Sequence, residues 1–134
     1  MPAPVPTVPL RSSRDLILDR RLTETLLESA RMAAKIIALF GRPDDPDEWG
    51  RHYADVHLPL AAKVPGLTAQ RAARVLTAAD GSAAPYHLVG ELVFDDLPAV
   101  QSALESPEGQ EAAQDYARIA PPGSLLLVAE VVLP

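Results

Sequence analysis

Tyr53 and His57 stand four residues apart, and Leu60 and Val64 continue at intervals of three and four. Residues at those intervals share one stripe of a helix. Trp49 and Val56 lie beside that stripe. Apart from the phenol and the imidazole it is apolar, so His57 is predicted to point into the protein. An imidazole on a pocket wall can take or give a proton near neutral pH. The same ring can be architectural, its nitrogens bonded to a sheet carboxylate or a backbone carbonyl. Tyr53 has the same two roles open to it, hydrogen-bonding a ligand or packing as a structural phenol.

Glu91 sits among apolar residues in the run Tyr86 to Phe94. A buried carboxylate is costly unless it is paired. His87 and Glu91 are four apart, which on a strand places them on one face. A meeting of Glu91 with His57 across a helix–sheet interface would give a carboxylate-supported acid/base. Otherwise Glu91 pairs with an arginine or lines a wet interior between subunits. The candidate catalytic set is therefore His57, Tyr53 and Glu91. Trp49, Leu60 and His87 are candidate substrate contacts. His52 is read as a rim residue. It is five residues from His57, so on a regular helix the two diverge and make a poor chelate. Glu130 interrupts the last apolar run.

Much chemistry is absent. There is no glycine-rich phosphate loop, no nucleophile elbow and no zinc-type histidine pair. The chain has no cysteine, which removes disulfides, thiolate metal sites and cysteine nucleophiles. No cofactor is expected, with haem on His57 a minor alternative. Twelve basic against 18 acidic residues give a net charge of −6, which disfavours nucleic acid. No apolar run reaches the roughly 18 residues a membrane span needs. Prolines at 2, 4, 6 and 9 spoil a signal peptide. A cytoplasmic location fits these features.

The elements that must position these residues begin at Lys35. Lys35 to Phe40 reads as a buried strand. Asp45-Pro46-Asp47-Glu48 opens a helix, with a capping carboxylate, a proline that needs no amide partner, and acids at the positive end of the dipole. Pro65-Gly66 stops it near Lys63 or Val64, and Pro59 inside it predicts a kink. Leu67 to Ala78 is taken as a strand on topology, because its arginines and alanines suit a helix equally well. Ala79-Asp80-Gly81-Ser82 is a turn signal. Tyr86 to Phe94 is a strand. Asp95-Asp96 caps a helix that Ser106-Pro107-Glu108 interrupts and restarts, and it runs to about Ile119. Ser124 to Leu133 is a final apolar strand.

Strand, helix, strand, strand, helix, strand is a split βαβ pattern. It predicts an α+β, ferredoxin-like βαββαβ subunit, with a four-stranded antiparallel sheet in the order 4-1-3-2 and two helices on one face. The first and last strands do not alternate apolar with polar residues, so both faces of the sheet must be buried. Two helices cover one face, and the sheet of a second subunit is the simplest cover for the other.

Residues 1–31 stand apart. Met1 to Pro9 is proline-rich, and Leu10 to Arg31 carries five arginines and four acids. There Ser12 to Asp15 fits a capping box, and Leu16, Leu22, Leu26 and Ala30 recur at near-helical spacing. Either Met32 is the natural start of a domain spanning 32–134, with an extension upstream, or the N-terminal segment is a helix that packs on the domain or on a partner.

Several motifs agree in order with one family. The helix from Pro46 to Leu67, with Tyr53, His57, Pro59 and the Pro65-Gly66 stop, resembles the first helix of the EthD-like family. Tyr86 to Asp95 resembles its third strand, and Ser106-Pro107-Glu108-Gly109 the break in its second helix. The resemblance covers Lys35 to Leu133. It implies a ferredoxin-like subunit pairing as a dimeric α+β barrel, in a family linked to ether degradation alongside an oxidising enzyme system. Relatives by fold include cofactor-free monooxygenases, lactone isomerases, dehydratase-like tailoring enzymes and haem proteins. The expectation is thus a homodimer that binds or acts on a small apolar organic molecule, as a cofactor-independent oxidoreductase, isomerase or dehydratase-like enzyme, or in a catabolic accessory role, with His57 as acid or base. The alternative is a non-catalytic dimer that carries a ligand to a partner oxygenase, or one whose histidine is purely architectural.

Overall fold

In the computed structural model the described residues are 20–21 and 32–133. The chain divides into two units, Met1–Ala30 and Arg31–Pro134, and every element named below belongs to the second. Arg20 and Arg21 are helical, and the remainder of the helix read over Leu10 to Arg31 lies outside the described residues.

The elements are β1 (Ala34–Gly41), α1 (Pro46–His52), a π-helical turn (Tyr53–His57), α2 (Leu58–Ala62), β2 (Leu67–Arg74), β3 (Tyr86–Phe94), α3 (Leu97–Glu105), α4 (Pro107–Ile119) and β4 (Leu125–Glu130). The sheet is antiparallel, in the order β2-β3-β1-β4, the 4-1-3-2 arrangement that the pattern predicts. This is the α+β ferredoxin-like architecture.

Three helix starts follow one chemical plan. The carboxylate of Asp45 accepts from the Glu48 amide at 3.1 Å, that of Asp96 from Ala99 at 2.8 Å, and the hydroxyl of Ser106 from Gly109 at 3.0 Å. Each is followed by a proline in the first turn, where no amide partner is needed. Ser106 also donates to the Ala103 carbonyl at 2.6 Å, so one hydroxyl closes α3 and opens α4. Gly109 is required there, because a Cβ would collide with the same carbonyl.

Two strands are shorter than the sequence predicts. β2 ends at Arg74 rather than Ala78, and a single bond from the Val75 amide to the His87 carbonyl prolongs the pairing. β4 spans Leu125–Glu130 rather than 124–133, and Val132 and Leu133 are largely exposed. β2 and β4 are the edges of the sheet, where no further strand extends the ladder.

The helices cover one face. Ala34, Ile36 and Phe94 pack with Val100, Ala103 and Ala112, while Phe40 packs with Trp49 and Tyr53, and with Tyr116 and Ile119 at its border. The core is therefore two apolar clusters rather than one. On the other face, β1 presents Lys35, Ile37 and Leu39, and the register aligns these with Val93, Glu91 and Val89 of β3 and with Ala129, Leu127 and Leu125 of β4. None of the helices of the second unit lies over that face. Leu125 and Leu127 are exposed, while Ile37, Leu39, Val89 and Val93 are half-buried. Among the described residues no helix is long and apolar enough to cross a membrane.

Candidate active site

Pro59 shapes the site. Proline lacks an amide hydrogen, and its ring crowds the carbonyl four residues earlier. The predicted kink takes the form of a wide turn at Tyr53–His57, in which the Leu58 amide bonds the Tyr53 carbonyl five residues back. On a regular helix, positions five apart are separated by about 140°. The π-turn brings residue i+5 back over residue i, and such turns are frequent at functional sites. The expectation that His52 and His57 diverge is overturned for this reason.

Both rings converge on one carboxylate. His52 Nε2 lies 2.9 Å from Asp115 Oδ1, and His57 Nδ1 lies 2.9 Å from Asp115 Oδ2. The Asp115 side chain is 4% exposed, that of His57 11% and that of His52 39%. Burial alone would push the Asp115 carboxyl up. Hydrogen bonds from His52 and His57, and the positive charge of the rings, outweigh burial and hold it below the usual carboxylate range. An ionised carboxylate only accepts, so His52 Nε2 and His57 Nδ1 are the donors. That assigns the tautomer of neutral His57, with a lone pair on Nε2.

His57 Nε2 has no hydrogen-bond partner among the described residues, and neither has Tyr53 Oη. Yet no buried side-chain nitrogen or oxygen among them is left without a partner. Both atoms therefore reach open space. That space is a half-open cavity between the helices and the sheet, where the two core clusters meet. Ile36, Ala38, Phe40, Tyr53, His57, Ala103, Ala112 and Tyr116 are among its walls, with Leu126 on the edge strand. Cavity and mouth together hold about 650 Å³ of empty space, of which about 70 Å³ is reachable by water centres. A water centre needs roughly 10–15 Å³, so several waters fit.

Tyr53 stacks on His57, with ring centroids 5.6 Å apart and 22° between planes, and on its other side stacks on Trp49 at 5.2 Å. Phe40 meets all three rings edge-on. Burial raises the pKa of Tyr53 and of Tyr116, which keeps both phenols protonated. Gly90 makes room for Tyr53, since a Cβ there would stand 3.2 Å from the phenol oxygen.

The remaining candidates lie elsewhere. Glu91 borders the cavity, but its side chain turns to the face opposite Gly90 and Tyr53. There Lys35 Nζ donates to it at 3.1 Å, so its partner is a lysine, not His57. His87 does not share the Glu91 face. The β1–β3 register slips between Phe40 and Gly41, a bulge that turns His87 edge-on to Trp49, with 5.5 Å between ring centroids. Trp49 is buried, and its indole N–H donates to the Ile119 carbonyl at 2.7 Å. Leu60 packs on the core cluster around Val100. Trp49, Leu60 and His87 are thus supports behind the cavity wall. His52, read as a rim residue, is half-exposed and holds Asp115. Glu130 ends β4, exposed, opposite Ala34. Among the described residues no group of three histidines or acids is placed to hold a metal.

Asp115 is the residue that sequence reasoning missed. Its signal was present. Ala112, Asp115, Tyr116 and Ile119 follow the three-and-four spacing of one helical stripe, so Asp115 is the acid on the apolar side of α4.

Comparison with known proteins agrees with this architecture. The sequence matches the family model described as the EthD domain over residues 42–122. It is 31% identical over 102 residues to an uncharacterized 11.0 kDa protein of the thcB-thcC intergenic region of Rhodococcus erythropolis, with 75% of this chain and 98% of that one covered. Among solved structures, an ethyl tert-butyl ether d (ethd) family protein from Bacillus halodurans superposes with a TM-score of 0.71 at 30% identity, covering 75% of this chain and 100% of that one. A dimeric protein of unknown function and ferredoxin-like fold from Bacteroides fragilis reaches 0.53 at 17% identity, over 75% and 96% of the two chains, and speaks for the fold alone. The chain belongs to the EthD family.

Proposed function

We propose that this protein is a homodimer that takes a small apolar organic molecule into the cavity between helices and sheet and uses His57 as the acid or base acting on it. The observation that carries this reading is the environment of one ring. Nδ1 is tied to a buried, ionised carboxylate, and Nε2 reaches the cavity without a protein partner. A carboxylate in that position orients an imidazole and stabilises it once it has gained a proton, which is how histidine bases are supported elsewhere. Tyr53, stacked on His57 and protonated, supplies a hydrogen-bond donor beside the base.

The chain's own part in a reaction is then a proton transfer. Nε2 takes a proton from the bound molecule and returns it at another atom or to water, while the Asp115 carboxylate offsets the charge on the ring. Tyr53 donates to the oxygen on which negative charge builds. Such a step belongs to oxidoreductase, isomerase and dehydratase-like reactions alike, and the EthD family points toward catabolic oxidation. Glu91 is left out of the mechanism, because its carboxylate faces the other side of the sheet. Pairing is supported by the sheet face that the helices of the second unit leave open, whose apolar side chains a second copy would bury.

The test is His57→Gln. Loss of turnover by about 100-fold or more with ligand binding intact is the expected result. A carrier dimer serving a partner oxygenase would support that partner equally well with the variant, and this outcome overturns the catalytic reading.

A further inference from the structure

We propose that the molecule this cavity takes carries a hydroxyl or enol group, and that this one group donates to His57 Nε2 while accepting from Tyr53 Oη. The inference rests on the cavity being a ligand site, as proposed above, and names the class of ligand. On a largely apolar wall, His57 Nε2 and Tyr53 Oη stand without a protein partner, as does Tyr116 Oη on α4, and the two atoms on the stacked rings have opposite demands. With Nδ1–H committed to Asp115, neutral His57 offers only a lone pair at Nε2. Tyr53, a phenol kept protonated by burial, has a hydrogen to give. The stacking of the two rings puts both atoms on one wall.

Complementarity then sorts ligands by chemistry. A hydrocarbon leaves both atoms unsatisfied. An ether, ketone or carboxylate accepts from Tyr53 but presents His57 with another acceptor. A hydroxyl bonded to carbon is the smallest group that both donates and accepts, so it satisfies both atoms at once. It also places its own proton on the base, the starting geometry for proton removal. Leaving a buried polar atom unpaired costs more than the bond itself would contribute, so the discrimination favours the hydroxyl over ligands of equal size.

Three probes of one shape test this with the full chain: benzyl alcohol, benzyl methyl ether and toluene, titrated calorimetrically at neutral pH. Benzyl alcohol is expected to bind about tenfold more tightly than either of the others. Tyr53→Phe is expected to shrink that preference several-fold and to leave toluene binding unchanged. As a readout free of any variant, the Nε2 nitrogen resonance of His57 is expected to shift with benzyl alcohol and not with toluene. Equal affinities for the three probes would overturn the hydroxyl inference and leave the ligand site standing. Ether binding as tight as alcohol binding would overturn the role of His57 as acceptor. Binding of none of them, up to their solubility limits, would overturn the ligand site itself.

Discussion

Asp115 holds two imidazoles with a single carboxylate, and both bonds draw on its charge. Replacing it with asparagine keeps the shape and removes the charge. An amide nitrogen or oxygen then faces each ring, so one ring must change tautomer. Asp115→Asn is expected to lower turnover by about 10²- to 10⁴-fold and to alter the ring-nitrogen shifts of His57, which NMR would report. The stability cost is expected to be about 1–3 kcal/mol. The pH dependence has a definite sign. The folded-state pKa of Asp115 lies below its unfolded value, so in that range the unfolded chain binds more protons and stability rises with pH. The contribution is complete above about pH 4 and is lost as pH falls further, through the folded-state value. Urea midpoints measured down this range should fall more steeply for the native protein than for Asp115→Asn. A parallel fall in the two would remove Asp115 as the cause. The phenols carry the opposite sign. Burial raises their pKa values, so their contribution is present below about pH 10 and declines above it.

At the scale of elements, the π-turn does what no side chain of that segment does alone: it faces His52 and His57 the same way. Pro59→Ala supplies the missing amide and removes the crowding ring, so the segment is expected to relax toward a regular helix. His57, nearly enclosed, should keep Asp115, while half-exposed His52 should lose it. Ring-nitrogen shifts that change for His52 but not for His57 are the expected outcome. Much at this scale was legible in the residues. Asp45-Pro46, Asp96 with Pro98 and Ser106-Pro107 each announce a helix start through chemistry local to a few residues. The kink at Pro59 was legible too, but its form was not. A proline says that a bond is missing, while the choice among kink, break and wide turn depends on how the flanking rings pack. Asp115 and Lys35 were missed as partners for a related reason. Each lies more than 50 residues from the group it serves, and spacing along one helix or strand says nothing about contacts across the interface. The bulge that turns His87 is a property of two paired strands, and neither strand alone reveals it.

For the whole molecule, pairing turns on the sheet face that the helices of the second unit leave open. Leu125 and Leu127 are exposed on an edge strand, beside half-buried Ile37, Leu39, Val89 and Val93. Light scattering behind size-exclusion chromatography is expected to give twice the monomer mass. Leu127→Glu, which sets a charge on that face, is expected to shift the protein toward monomer and lower its thermal midpoint by several degrees. A monomeric native protein of undiminished stability would contradict the pairing. The sheet order was readable from the succession of elements, and the two-faced apolar pattern from strand composition, because period and parity survive without a partner in view. The cavity was not, since it is the gap left where two apolar clusters fail to merge.

Ser106, whose one hydroxyl ends α3 and begins α4, makes the chain from Leu97 to Ile119 two rods joined at a corner. The first rod contributes Val100 and Ala103 to one cluster, and the second carries Asp115 and Tyr116 beside the other. Both beams bear load, since Ala112 of the second joins the first cluster, but the carboxylate that grips the two imidazoles rides on the second alone. The angle at that corner therefore sets where the acid meets the rings, and a change at Ser106 would be felt at the pocket as well as at the hinge itself.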